Sequence, residues 1–174
     1  MKYLLFIFLV GVLCSLPVCS QDQCKRHVDA AGFSYCPPVG WVSERSYDKR
    51  FTNFSAPEPA SALLMARVYD TPETLNEYVD RVVSRQTNVY HADESYQLVR
   101  RWSVTSLAGN KGECFLLESL GVPDQTYLFS CSFEGKPKQK ISLNFFMPKS
   151  DRESFKVGEK VVHSFQLEPT SPTQ

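Results

Sequence analysis

Beyond residue 20, the 174-residue chain has no uncharged apolar run approaching the ~20 residues that a bilayer-spanning helix needs. It also lacks an excess of either charge. Lys and Arg number 19, as do Asp and Glu, and only Lys2 falls among the first 20 residues. The remainder therefore holds 18 basic against 19 acidic side chains, a net charge near −1. Nucleic-acid binders need a basic footprint to neutralise phosphates, so this balance excludes that class. It weighs equally against an electrostatic membrane-surface protein. Glycine is scarce, and the two glycines of Leu107–Gly112 lack the spacing and the Lys-Ser/Thr ending of a phosphate-binding loop. The histidines are His27, His91 and His163, and none sits beside a cysteine in a recognisable nucleophile setting. Cys24-Lys25-Arg26-His27 is a lone CxxH, whereas structural zinc takes four ligands from paired motifs. The carboxylates are scattered over predicted loops and helix faces and form no acid–base pair. No catalytic residue, metal ligand or cofactor site emerges.

What is present begins with an export signal. Met1-Lys2 gives a short positive start, Tyr3 to Val18 is uncharged and rich in Leu, Ile, Phe and Val, and Ser20 precedes Gln21. That pattern reads as a cleavable signal peptide over residues 1–20. Its apolar span is short for an anchor helix and carries Pro17 near its end. The expected destination is the periplasm or the extracellular space. Cys14 and Cys19 leave with the signal, and Cys24, Cys36, Cys114 and Cys131 remain, an even number in an oxidising compartment. Four cysteines allow three pairings. A hairpin folded about Leu120–Asp124 sets Cys114 opposite Cys131, which favours that pair and leaves Cys24 with Cys36. Each bridge contributes about 2–4 kcal/mol, chiefly by restricting the unfolded chain.

Residues 21–31 are polar and read as an N-terminal arm. Gly32–Cys36 is expected as a strand stopped by Pro37-Pro38, and Gly40-Trp41 opens a second extended run. Tyr47–Phe54 reads as short broken pieces and Ala62–Tyr69 as a strand. A helix is expected with Thr71 as N-cap and Pro72 at its first position. Leu75, Tyr78, Val79, Val82 and Val83 supply its apolar stripe. Strands follow at Tyr96–Thr105, Glu113–Ser119, Thr126–Phe133 and Ile141–Met147; their short connections require antiparallel pairing. Gly109 and Gly112 are expected in backbone conformations that other residues resist. Lys136, Lys138 and Lys140 surround a turn and are expected to solvate it. A last helix is expected with a capping box of Ser150 and Glu153. Its interior carries Gly158, which weakens a helix by about 1 kcal/mol relative to alanine. Residues 168–174 read as a flexible tail. The central strand is apolar on both sides, so the fold class is α+β: a central antiparallel β-sheet sandwiched between helices.

The layout resembles the PsbP-like, DcrB-like domain family. The resemblance rests on Gly32-Phe33-Ser34-Tyr35, Pro38-Val39-Gly40-Trp41, Leu107-Ala108-Gly109-Asn110-Lys111-Gly112, and a closing strand, helix and Ser164-Phe165. It spans about Gly32 to Gln166, so residues 32–167 form the domain. It implies a sheet between helices and an accessory role by docking on larger assemblies, without an enzymatic site. It transfers no functional residues, and the four mature cysteines depart from its usual pattern. The expected function is an exported, non-enzymatic binding protein with an unknown protein partner. The alternatives are a small secreted hydrolase with an unrecognised site and a carrier of an apolar ligand. Arg100-Arg101-Trp102 is the candidate contact surface, against a plain reading as an edge strand protected by charge. Asn53-Phe54-Ser55 is a glycosylation sequon, relevant in a eukaryotic secretory pathway.

Overall fold

The computed structural model describes residues 24–45, 51–57, 61–88, 95–120 and 126–169. The proposed signal segment, Tyr47–Arg50, His91 and the turn at 121–124 lie outside the described residues. Among the described residues the main element is a seven-stranded antiparallel sheet. Its strands are β3 (Val42–Arg45), β4 (Phe51–Ser55), β5 (Leu63–Asp70), β6 (Tyr96–Thr105), β7 (Lys111–Ser119), β8 (Thr126–Glu134) and β9 (Gln139–Pro148). The order is β3-β4-β5-β9-β8-β7-β6, so β9, the last strand of this sheet in sequence, inserts between β5 and β8. The run β6 to β9 is a meander, as the short turns require.

A second, three-stranded sheet joins the two ends of the domain. β1 (His27–Asp29) and β10 (Gln166–Leu167) pair on either side of β2 (Phe33–Tyr35). The expected N-terminal arm is therefore partly a strand. The start of the expected tail is tied down too, by the Glu168 amide donating to the Gly32 carbonyl. Arg26 donates to Ser34 Oγ and to the Ser164 carbonyl, and the Cys36 amide donates to Ser164 Oγ.

Strand alternation divides the core in two. Phe129, Cys131, Phe133, Leu143 and Phe145 pack with Val161 and Val162 of α2 (Arg152–His163). Phe115, Leu117 and Leu128 pack with Tyr78 and Val79 of α1 (Leu75–Thr87). Tyr78 carries its hydroxyl into the second cluster, where it shares a hydrogen bond with Ser142 Oγ; burial pushes its pKa up to about 12.

Both helices start later than the sequence reading placed them. α1 is capped by Thr74, whose hydroxyl accepts from the Glu77 amide while Glu77 bonds back to the Thr74 amide. This Thr-x-x-Glu box satisfies two orphan donors, and the expected cap, Thr71, bonds the Glu73 side chain instead. α2 is capped by Asp151, not Ser150. The Asp151 carboxylate accepts from the Ser154 amide and the Ser154 hydroxyl, and the Glu153 side chain pairs with Lys156 rather than reaching back to the cap. Gly109 has the expected positive φ of 82°. Gly112 does not; a Cβ there would meet the Phe133 ring at 2.7 Å, so close approach is its reason. Gly158 likewise lets α2 settle onto Phe129, whose ring lies 2.9 Å from where a Cβ would stand.

Two predictions follow from this packing. Gly158→Ala gains about 1 kcal/mol of helix propensity but overpacks a site lined by Phe129 and Phe145, which costs about 1–3 kcal/mol. The expected outcome is a lower melting temperature; a rise would show that α2 can lift away freely. Asp151→Ala should destabilise the protein by about 1 kcal/mol at neutral pH in denaturant titrations. Bonds from the Ser154 hydroxyl and amide hold the Asp151 carboxyl below its ordinary value of 3.8. The cap's contribution is thus complete above that value and lost as pH falls through the lower folded value, so the variant and the parent should converge in acid.

Candidate functional site

The candidate surface Arg100-Arg101-Trp102 lies on β6, which ends the seven-stranded sheet. Alternation sends the neighbours to opposite faces, and each finds a different partner. Trp102 stands opposite Cys114 and stacks on Phe129 with ring centroids 5.6 Å apart and planes within 11°. Phe129 stacks in turn on Phe145. The Arg100 guanidinium lies over the outer part of this ladder, 4.0 Å from the Trp102 ring centroid. Arg101 turns the other way into a carboxylate clasp formed by Asp80 of α1 and Glu113 of β7, and it also donates to Asn76. Arg101 is therefore neutralised, whereas Arg100 has no acidic partner among the described residues.

The strand is irregular at its N-terminal end. Register with β7 slips between Leu98 and Arg100, a bulge that leaves Leu98 46% and Val99 48% exposed. From Arg100 to Thr105 the pairing is unbroken. An open cleft of about 430 Å³ lies beside this run, between the start of α1 and the β6–β7 hairpin. Its lining is mostly apolar surface, including Leu75 and Val104, with polar groups of Thr74, Asn76, Ser103, Lys111 and Glu113 around it.

The cysteines meet as the hairpin argument expected. Cys114 and Cys131 are directly opposed and fully buried, and Cys24 stands with Cys36; both pairs are at disulfide distance. Pairing with Cys36 takes Cys24 out of the CxxH. Among the described residues no group of three or more His, Cys, Asp or Glu is placed to hold a metal ion, and no helix is long and apolar enough to cross a membrane. His27 packs against the Tyr35 and Phe54 rings, and His163 closes α2. Burial, and then the nearby Asp29, push the Tyr35 phenol far above its ordinary value. The Asn53 side chain of the sequon sits in β4 with Oδ1 buried and unpaired. The turn lysines do not all solvate the turn: Lys140 is 2% exposed and pairs with Glu134 at 2.9 Å.

Sequence reasoning found the edge but missed its partners. Nothing in the local pattern ties Asp80 to Arg101, 21 positions away, or Trp102 to Phe129. The Thr-x-x-Glu motif at residues 74–77 was the one overlooked signal that places the start of α1, and with it the cleft.

No family model and no curated protein sequence matches the chain. Solved structures do match its fold. The cyanobacterial PsbP (CyanoP) of Synechocystis sp. PCC 6803 superposes with a TM-score of 0.63 at 12% identity, over 82% of this chain and 91% of that one. The Ran-binding protein Mog1p of Saccharomyces cerevisiae gives 0.59 at 7% identity, over 82% and 94%. A Pseudomonas aeruginosa protein of unknown function, PA94, gives 0.56 at 14% identity, over 75% and 99%. The chain thus has the PsbP-like fold, mostly antiparallel sheet with two helices.

Arg100 and Trp102 should separate in stability measurements. Arg100→Ala removes an exposed guanidinium from a ring face and should cost about 0.5–1 kcal/mol. Trp102→Ala removes a ring stacked on the core and should cost about 3 kcal/mol. Equal losses in urea titrations would mean that Trp102 is not anchored through Phe129.

Proposed function

We propose that this is an exported, non-enzymatic accessory protein that docks on a protein partner in the cell envelope or outside the cell. In this reading residues 1–20 are removed, both cysteine pairs are oxidised, and the two helices cover opposite faces of the large sheet. The observation that carries the docking reading is the fold shared, over most of both chains, with a Ran-binding protein. The family resemblance on Gly32–Tyr35, Pro38–Trp41 and Leu107–Gly112 points the same way. Two cysteine pairs at bonding distance suit an oxidising compartment, since reducing compartments rarely retain such bridges. The assignment of α1 and α2 to opposite faces is supported by neighbouring residues of β8: Leu128 packs with α1, and Phe129 with α2.

The chemistry on hand suits binding better than turnover. With both pairs bridged, no thiolate is left as a nucleophile. The Ser132, Ser142 and Tyr78 hydroxyls are bonded to one another in the interior, where they join α1 to the sheet.

The test is made in the source organism on the chain with its own leader. Intact mass of the mature protein should begin at Gln21 and show no free thiol before reduction. Cross-linking in cells, followed by mass spectrometry, should return the same protein partner in replicate experiments. Retention of residues 1–20 would overturn export, and the absence of a reproducible partner would overturn docking. Turnover of a generic ester, peptide or glycan substrate, abolished by one substitution, would replace this reading with an enzyme.

A further inference from the structure

Resting on the docking reading, we propose that the outer edge of β6 takes an extended, acidic segment of the partner protein as an eighth strand of the sheet. The first observation is the edge itself. β6 spans ten residues and ends the sheet order, so its outward amides and carbonyls face no strand among the described residues. The opposite edge, β3, is only four residues long. Folded proteins blunt long edges with lysine, proline or projecting charge, because an open edge templates pairing with another chain. Tyr96–Thr105 contains neither Lys nor Pro. Its arginines do not project along the edge either: Arg101 is folded into Asp80 and Glu113, and Arg100 lies flat on Trp102. The bulge spoils pairing near Leu98 and Val99 and leaves them open to solvent, but Arg100–Thr105 remains a regular six-residue template.

The second observation is charge, and it selects the occupant. β6 holds no carboxylate. With Arg101 neutralised, the uncompensated charge on the Trp102 face of the template is Arg100; Lys111 of β7, opposite Thr105, stands on the other face with Arg101. A strand laid beside Arg100–Thr105 with Asp or Glu at alternate positions presents all its carboxylates on one face, where they meet Arg100, and gains backbone hydrogen bonds along the template. A second copy of this chain would bring another carboxylate-free β6 and offer Arg100 nothing.

The probe is acetyl-(Val-Glu)4-amide, with acetyl-(Val-Lys)4-amide as its charge-reversed control, titrated into the mature, oxidised, isotopically labelled chain. NMR should show shifts and slowed amide exchange along residues 100–105 with the glutamate peptide. Arg100→Glu should weaken that binding about tenfold and raise affinity for the lysine peptide, while Arg100→Lys stays near the parent. Arg100→Ala gives an independent reading should Arg100→Glu fail to fold: it should weaken the glutamate peptide and leave the lysine peptide unchanged. Equal binding of the two peptides, no binding of either, or shifts mapping away from β6 would overturn the proposal. So would a concentration-dependent dimer whose contacts fall on β6. If cells yield a reproducible partner that Arg100→Glu and Arg100→Ala bind unchanged, the edge assignment fails and the docking reading stands. If no partner is recovered while the glutamate peptide still pairs with β6, the docking reading fails and the edge assignment stands.

Discussion

The ring of Phe129 is the contact on which most of this structure depends. It stacks on Phe145 of the next strand, on Trp102 two strands away at the edge, and against Phe155 of α2. Gly158 leaves room for α2 to rest on the same ring. One side chain thus couples the centre of the sheet, its open edge and a helix. Aromatic pairs of this kind add about 0.5–1.5 kcal/mol each beyond the area they bury. The Cys114–Cys131 pair lies in the neighbouring row of the same cluster, which fixes β7 between Phe129 and Trp102.

That coupling gives the edge its chemical character. An edge strand held only by its ladder to β7 would fray, and its side chains would sample many orientations. β6 is anchored on one face by Trp102 in the aromatic ladder and on the other by Arg101 in its clasp with α1. The backbone between is held straight and its outward hydrogen-bonding groups are set in register. Arg100 is left as a cation seated over the Trp102 indole. The bulge confines irregularity to Leu98 and Val99 at one end.

The ends of the domain are secured by a different device. β2 pairs with strands from both chain ends, and Ser164, at the end of α2, accepts from Arg26 through its carbonyl and from the Cys36 amide through its hydroxyl. The Leu107 amide donates to the His163 carbonyl and the Leu167 amide to Asn110 Oδ1, so the glycine-containing turn also reports to this corner. All three stretches that carry the family resemblance near the ends, at residues 32–35, 107–112 and 164–165, converge there.

The sequence by itself determined the strands of the meander, the cysteine pairing within it and the presence of two helices. Period-two alternation, turn residues and an apolar stripe at helical spacing are local properties, readable without knowing what lies opposite. Helix starts were less legible, because Thr71 and Ser150 each had a competing cap nearby, and hydrogen-bond geometry chose between them. Strand order, the insertion of β9 between β5 and β8, and the pairing of β1 with β2 and of β2 with β10 were decided only in three dimensions. So were the burial of Lys140 beside Glu134 and the different fates of adjacent Arg100 and Arg101. Those outcomes depend on which distant groups the sheet brings within a few ångströms, and no local pattern encodes that distance.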